Sequence, residues 1–124
     1  MGRFRGDRYF SGGPWYIATF AAAEFRYRLA EAVARGGGPA VTEATLDLAG
    51  RPRDGAERGA LVRALVAQGD GVMAMARRHI PASGELSEQF DPVTGAQISA
   101  RDLSWSYAAF LTAWDARRRA LRAA

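Results

Sequence analysis

An all-α fold is what this sequence predicts, and three observations predict it. Apolar residues recur at helical spacing in three long stretches. Glycine and proline punctuate the chain between those stretches, and no run of useful length alternates with the period of a strand. The chain has 124 residues, 48% of them hydrophobic, which suits one domain with a modest core and argues against disorder.

The first helix is expected from about Pro14 to Arg35. Proline is tolerated in a first helical turn, where its missing N–H costs nothing, and Gly36-Gly37-Gly38-Pro39 ends the segment. Its run Trp15-Tyr16-Ile17-Ala18-Thr19-Phe20-Ala21-Ala22-Ala23 is apolar on nearly every side, so more than one face should be buried, and the alanines let neighbouring backbones come close. Between Gly36 and Arg53 a single short helical turn is expected near Thr45 to Leu48. The second long helix is expected from about Gly55 to His79, capped by Asp54 with Glu57 three residues on. Leu61, Leu65, Val72 and Ala76 form its apolar stripe, while Gly69 and Gly71 each weaken it by about 1 kcal/mol relative to alanine. The third is expected from about Ala100 to Leu121, with Ser99 and Asp102 as its cap pair and Leu103, Tyr107, Phe110, Leu111 and Trp114 as its buried face.

Charge and composition narrow the function classes. The 17 basic residues are all arginine and the net charge is +4. They are scattered, with one short cluster at Arg117, Arg118 and Arg119, whereas a nucleic-acid binder concentrates its charge on one face. No nucleic acid is therefore expected as a partner. No stretch approaches 18 apolar residues, so no membrane span is expected either. There are no cysteines, and the one histidine, His79, follows Arg77-Arg78 at a helix end, where a cation favours the local dipole. No metal-ligand spacing or phosphate loop is present, so no metal and no cofactor are expected. Met1 to Asp7 lacks the apolar core of a signal peptide, and nothing in the sequence fixes a compartment.

Consecutive helices of compact all-α folds tend to run antiparallel. The first and third helices then point the same way, and the loops before them, Gly2 to Gly13 and Pro81 to Ser99, share one end of the fold. Each feeds a helix with a tryptophan in its opening turns, Trp15 and Trp105. A mouth of carboxylates and aromatic rings suits a sugar, whose C–H face packs on rings while charged groups bind its hydroxyls. The loop of about twenty residues before the third helix is long for a compact domain, where such loops are usually functional or disordered. Its sharpest feature is Ser87-Glu88-Gln89-Phe90-Asp91.

The run Leu86-Ser87-Glu88-Gln89-Phe90-Asp91, then Thr94-Gly95, then Ser99 to Ala113 resembles the C-terminal signature of glucoamylases, glycoside hydrolase family fifteen. Gly2-Arg3-Phe4, Asp7, Tyr9, Gly12-Gly13-Pro14-Trp15 and Ala21-Ala22-Ala23-Glu24 resemble the loop and helix ahead of that signature. The resemblance covers nearly the whole chain, least clearly between Gly36 and Asp70. It implies that residues 1–124 are a C-terminal segment of an (α/α)6 barrel, with three main helices and long active-site loops. The first and third helices are then inner and the middle one outer.

Carried over residue by residue, the resemblance implies Glu88 as the general base of an inverting α-glucosidase. It makes Arg3, Asp7, Trp15 and Trp105 substrate-binding residues, and α-glucan or maltooligosaccharide the substrate. Phe4 stands where the family commonly has tyrosine. The family's domain is several times longer than this chain, and its general acid has no counterpart here. The resemblance therefore implies a truncated piece that is inactive alone and that partners the missing N-terminal part of the barrel, whose absence leaves apolar surface exposed. Trehalase-like and glucodextranase-like relatives share the architecture. A non-catalytic paralogue binding sugar or a partner chain is the alternative from another class, and a basic nucleic-acid module is the third.

Overall fold

The computed structural model describes residues 1–50 and 58–124. Four helices carry this described part: α1 (Tyr16–Ala34), α2 (Glu43–Leu48), α3 (Arg58–Arg77) and α4 (Ser104–Ala123). α1 starts two residues beyond Pro14, because Trp15 is extended (φ −97°, ψ 130°) and pairs with Gln89 instead. It ends as expected at Gly36, whose φ of 83° is cheap only for glycine and whose N–H reaches the Val33 carbonyl at 3.1 Å. The short turn becomes α2, closed by a reciprocal Thr42–Thr45 capping box. The Asp54–Glu57 cap proposed for the second long helix falls outside the described residues.

α1 lies at the centre. Its partners on and just beyond α3 run in opposite order: the Tyr16 hydroxyl donates to the His79 carbonyl (2.8 Å), Arg26 to Gln68 (2.9 Å) and the Tyr27 hydroxyl to Asp70 (2.7 Å). Its partners on α4 run in the same order: Phe20 meets Phe110 edge to face (5.5 Å), Thr112 donates to Glu24 (2.9 Å) and Arg119 to Glu31 (3.2 Å). α1 and α4 are therefore parallel, as expected of the first and third long helices, and the segments preceding them share an end. One polar clamp ties all three: Arg117 of α4 forks onto Asp70 of α3 at 2.7 and 3.0 Å, and Asp70 accepts from Tyr27 of α1. The guanidinium, then the tyrosine, holds the Asp70 carboxyl below its ordinary range, while burial and the Asp70 carboxylate push Tyr27 up.

The buried face of α4 differs in part from the expected one: Tyr107 and Phe110 pack half-buried against the core, but the centre of the face is different. Ser106, Ala113, Ala116 and Ala120 are fully buried, whereas Leu111 is 61% and Trp114 47% exposed. Ala23 and Ala30 of α1 are fully buried as well, and small residues on facing helices let the two backbones approach closely. The larger apolar residues are left on the flank. There Phe110 and Trp114, with Phe20, Met73 and Ile80, line a groove of about 790 Å³ between α3 and α4. The expected stripe of α3 holds: Leu61, Leu65 and Ala76 are buried, with Val72 at its edge.

The two glycines of α3 have opposite roles. A Cβ on Gly69 would stand 2.5 Å from the Tyr27 ring, while one on Gly71 meets nothing within 4 Å. Gly69→Ala is therefore expected to destabilise, because overpacking costs about 1–3 kcal/mol and outweighs the helix-propensity gain. Gly71→Ala is expected to stabilise by about 1 kcal/mol. Urea unfolding of the two variants checks the signs.

Two features were not anticipated. A two-residue antiparallel ladder pairs β1 (Gln89–Phe90) with β2 (Gln97–Ile98), too short for any period to betray. α4 begins at Ser104 without a side-chain cap. Ser99 and Asp102 do not cap it: both adopt positive φ (66° and 47°), Ser99 donates to Glu88, and Asp102 accepts from the Tyr107 hydroxyl at 2.8 Å. His79 sits beyond the end of α3, where its ring stacks on Phe90 at 4.2 Å rather than capping the helix.

Candidate functional site

The segment carrying Glu88 is held on three sides by backbone hydrogen bonds. The Tyr16 N–H donates to the Glu88 carbonyl (3.1 Å), the Glu88 N–H to the Ala100 carbonyl (2.7 Å), and the Phe90 N–H to the Pro14 carbonyl (3.2 Å). The start of α4 adds further ties: Leu103 N–H to the Leu86 carbonyl (2.9 Å) and the Ser106 hydroxyl to the Ser87 carbonyl (2.7 Å). Alternation along an extended segment sends neighbours to opposite faces. Ser87 and Gln89 are fully buried while Glu88 between them is partly exposed, so its backbone is fixed and its side chain lies on the opposite, more open face.

At that tip the Ser99 hydroxyl donates to Glu88 Oε2. With its one proton committed there, Ser99 accepts from the Tyr9 hydroxyl at 3.4 Å. The Tyr9 ring lies 5.0 Å below the Arg3 guanidinium, which also covers the Trp15 ring at 4.9 Å. Arg3 forks onto Asp7 with two bonds of 2.8 Å, and the Tyr9 N–H donates to the same carboxylate at 3.0 Å. The Arg3 hydrogen bonds, then the backbone N–H of Tyr9, hold the Asp7 carboxyl below the usual range. Asp7 in turn raises Arg3, and the Glu88 charge is close enough to add to that. The two groups therefore stay ionised through the neutral range.

Glu88, Arg3, Asp7 and Trp15 are thus brought into one cluster where the two loops meet. Trp105 stands at the same end, in the first turn of α4, but is 67% exposed and makes no ring contact with the cluster's aromatic residues. Phe4 is exposed beside Arg3, its ring 5.6 Å from the guanidinium. Sequence reasoning missed two polar members. Ser99 reads as a helix cap, and Tyr9 is one of the residues carrying the resemblance but without a role of its own. No local pattern ties either to a carboxylate many residues away. Among the described residues no cluster of His, Asp or Glu is arranged for a metal ion.

Chemically, the cluster pairs an aromatic floor with a cation and a carboxylate that present fixed donors and acceptors. Beside it is a second carboxylate with an open face. That set can bind a polyhydroxylated ring and take a proton from a water lying against it.

Comparison with known proteins identifies the family. The sequence profile described as Glycosyl hydrolases family 15 matches residues 1–115. The Glucoamylase of Neurospora crassa is 38% identical over 123 residues, covering 91% of this chain and 20% of its own length. Glucoamylase-1 of Arthroderma benhamiae is 36% identical over 122 residues, covering 90% and 20%. The solved Glycoside Hydrolase Family 15 Glucoamylase from Hypocrea jecorina superposes with a TM-score of 0.83 at 35% identity, over 95% of this chain and 21% of that one. The chain spans about a fifth of the length of the curated relatives it matches.

Proposed function

This chain belongs to glycosyl hydrolase family 15, with the fold of a segment of that family's (α/α)6 barrel, and from that premise we propose that it supplies the general base and one wall of a glucoamylase pocket. The reading is that residues 1–124 form the C-terminal part of the catalytic domain and that Glu88 is the base. The observation that carries it is the Glu88 carboxylate, anchored through both neighbouring peptides and open beside the Arg3–Asp7 fork and the Trp15 ring.

In this reading a glucose unit at the non-reducing end of an α-1,4-glucan lies on Trp15, with Arg3 and Asp7 engaging its hydroxyls. Trp105 flanks it from the start of α4. Glu88 takes a proton from a water attacking C1 on the face opposite the leaving oxygen, so the sugar leaves with inverted configuration. Inversion needs a second carboxyl group roughly 6.5–9.5 Å away to protonate the leaving oxygen. That acid is contributed by residues outside these 124, so the chain on its own does not hydrolyse maltose, and its partner is the remainder of the barrel.

The test joins the two. A chimaera in which this chain replaces the stretch it matches in the Neurospora crassa glucoamylase is expected to hydrolyse maltose and release β-glucose first, followed by proton NMR. Initial release of α-glucose, or a folded chimaera without hydrolysis, overturns the reading.

A further inference from the structure

We propose that Gln97 is the positioning residue for Glu88: one side-chain amide fixes the peptide that carries the carboxylate to the ends of α1 and α3. The inference rests on Glu88 acting as the base. Gln97 lies on β2, opposite Phe90, and its amide is used at both ends. The Oε1 atom accepts from the Ser87 N–H at 3.0 Å and lies 2.9 Å from the Ser87 hydroxyl. The Nε2 atom donates to the Tyr16 hydroxyl at 2.7 Å and to the His79 carbonyl at 2.6 Å. The Tyr16 hydroxyl donates to that same His79 carbonyl, closing a triangle.

Each of these partners is positionally significant. Ser87 is the residue before Glu88 and is fully buried. Tyr16 opens α1, is equally buried, and its N–H donates to the Glu88 carbonyl. His79 follows α3 and stacks on Phe90, two residues after Glu88. The amide therefore couples three segments that approach the base from three directions, in a setting where buried polar groups are costly to leave unpaired. Among the described residues the Glu88 side chain makes one hydrogen bond, from Ser99, so the aim of the carboxylate depends on where the Ser87–Glu88 peptide is held. An error of about 1 Å in a reacting group costs on the order of 10²-fold in rate.

Two variants separate positioning from mere folding. Gln97→Met keeps length and volume and removes every hydrogen bond of the amide. Gln97→Glu keeps oxygens facing Ser87 and loses the N–H donors. In the whole 124-residue chain, Gln97→Met is expected to speed amide hydrogen exchange at Ser87 about tenfold while mid-α1 amides hold their rates, and Gln97→Glu to restore most of the Ser87 protection. In the chimaera with the Neurospora crassa glucoamylase, Gln97→Met is expected to lower kcat about ten- to hundredfold with KM little changed. Unchanged exchange at Ser87, acceleration of all amides together, or a rise in KM at constant kcat overturns the proposal. Full activity of a Glu88→Gln chimaera removes the base instead, and leaves the exchange result at Ser87 standing.

Discussion

Glu88→Gln in the chimaera lowers kcat for maltose by about 10²–10⁴-fold, the span a positioned general base contributes, and leaves KM nearly unchanged. The amide has the size of the carboxylate and still accepts a hydrogen bond, so the bond from Ser99 and the backbone ties of residue 88 to Tyr16 and Ala100 persist. What is lost is the lone pair basic enough to take a proton from water. Glu85→Gln is the matched control: Glu85 pairs with Arg101 at 2.8 Å, three residues along the same loop, and has no part in the cluster. Its loss is expected to leave kcat within twofold, since an exposed ion pair contributes about 0–1 kcal/mol even to stability. Equal losses in the two variants would mean that the loop tolerates no substitution, and that the effect at residue 88 is not chemical.

The largest effect on stability is expected at Phe20. This side chain is 1% exposed and joins α1 to α4 through Phe110, with Tyr16 stacked on it at 5.8 Å. Phe20→Ala is expected to cost about 3–5 kcal/mol, the usual penalty for truncating a buried aromatic side chain, part of it from the cavity left behind. The variant should therefore unfold at markedly lower urea concentration. Its consequence reaches the site, because the parallel packing of α1 on α4 is what sets the two loops side by side. A loss below about 1 kcal/mol would mean that the contact with α4 is not what holds the helices together.

The sequence carried the architecture where physics acts locally. Pro14 and the Gly36 run bound α1 to within two residues, and the stripe of Leu61, Leu65 and Ala76 picked out the buried side of α3. Parallel α1 and α4 followed from alternation alone, and with them the shared mouth. The buried side of α4 was read only in part, because hydrophobic size stood in for burial: Tyr107 and Phe110 pack against the core, whereas Leu111 and Trp114 do not. In the fold, the alanines at 113, 116 and 120 are fully buried, as are Ala23 and Ala30 of α1, while the larger Leu111 and Trp114 are exposed. Gly69 looked like a weak point of a helix, and only the Tyr27 ring against it shows why glycine is there.

At the candidate site, the nearness of Arg3, Asp7 and Trp15 to Glu88 was legible from loop placement together with the family resemblance. The contacts that aim the carboxylate were not. Ser99 and Gln97 act through positive backbone angles and a two-residue ladder, which leave no periodic trace, and Ser99 also satisfies the composition of a helix cap. Trp105 illustrates the opposite limit: its position at the mouth was foreseen, but its side chain is largely exposed.

The most direct test of Glu88 as proton acceptor is azide rescue of a Glu88→Ala chimaera with α-glucosyl fluoride as substrate. Azide needs no base: its nitrogen bonds to C1 as the C–F bond breaks and fluoride leaves with the electron pair. Restored turnover with β-glucosyl azide as product is the expected result. No rescue by azide, or α-glucosyl azide as the product, contradicts the assignment.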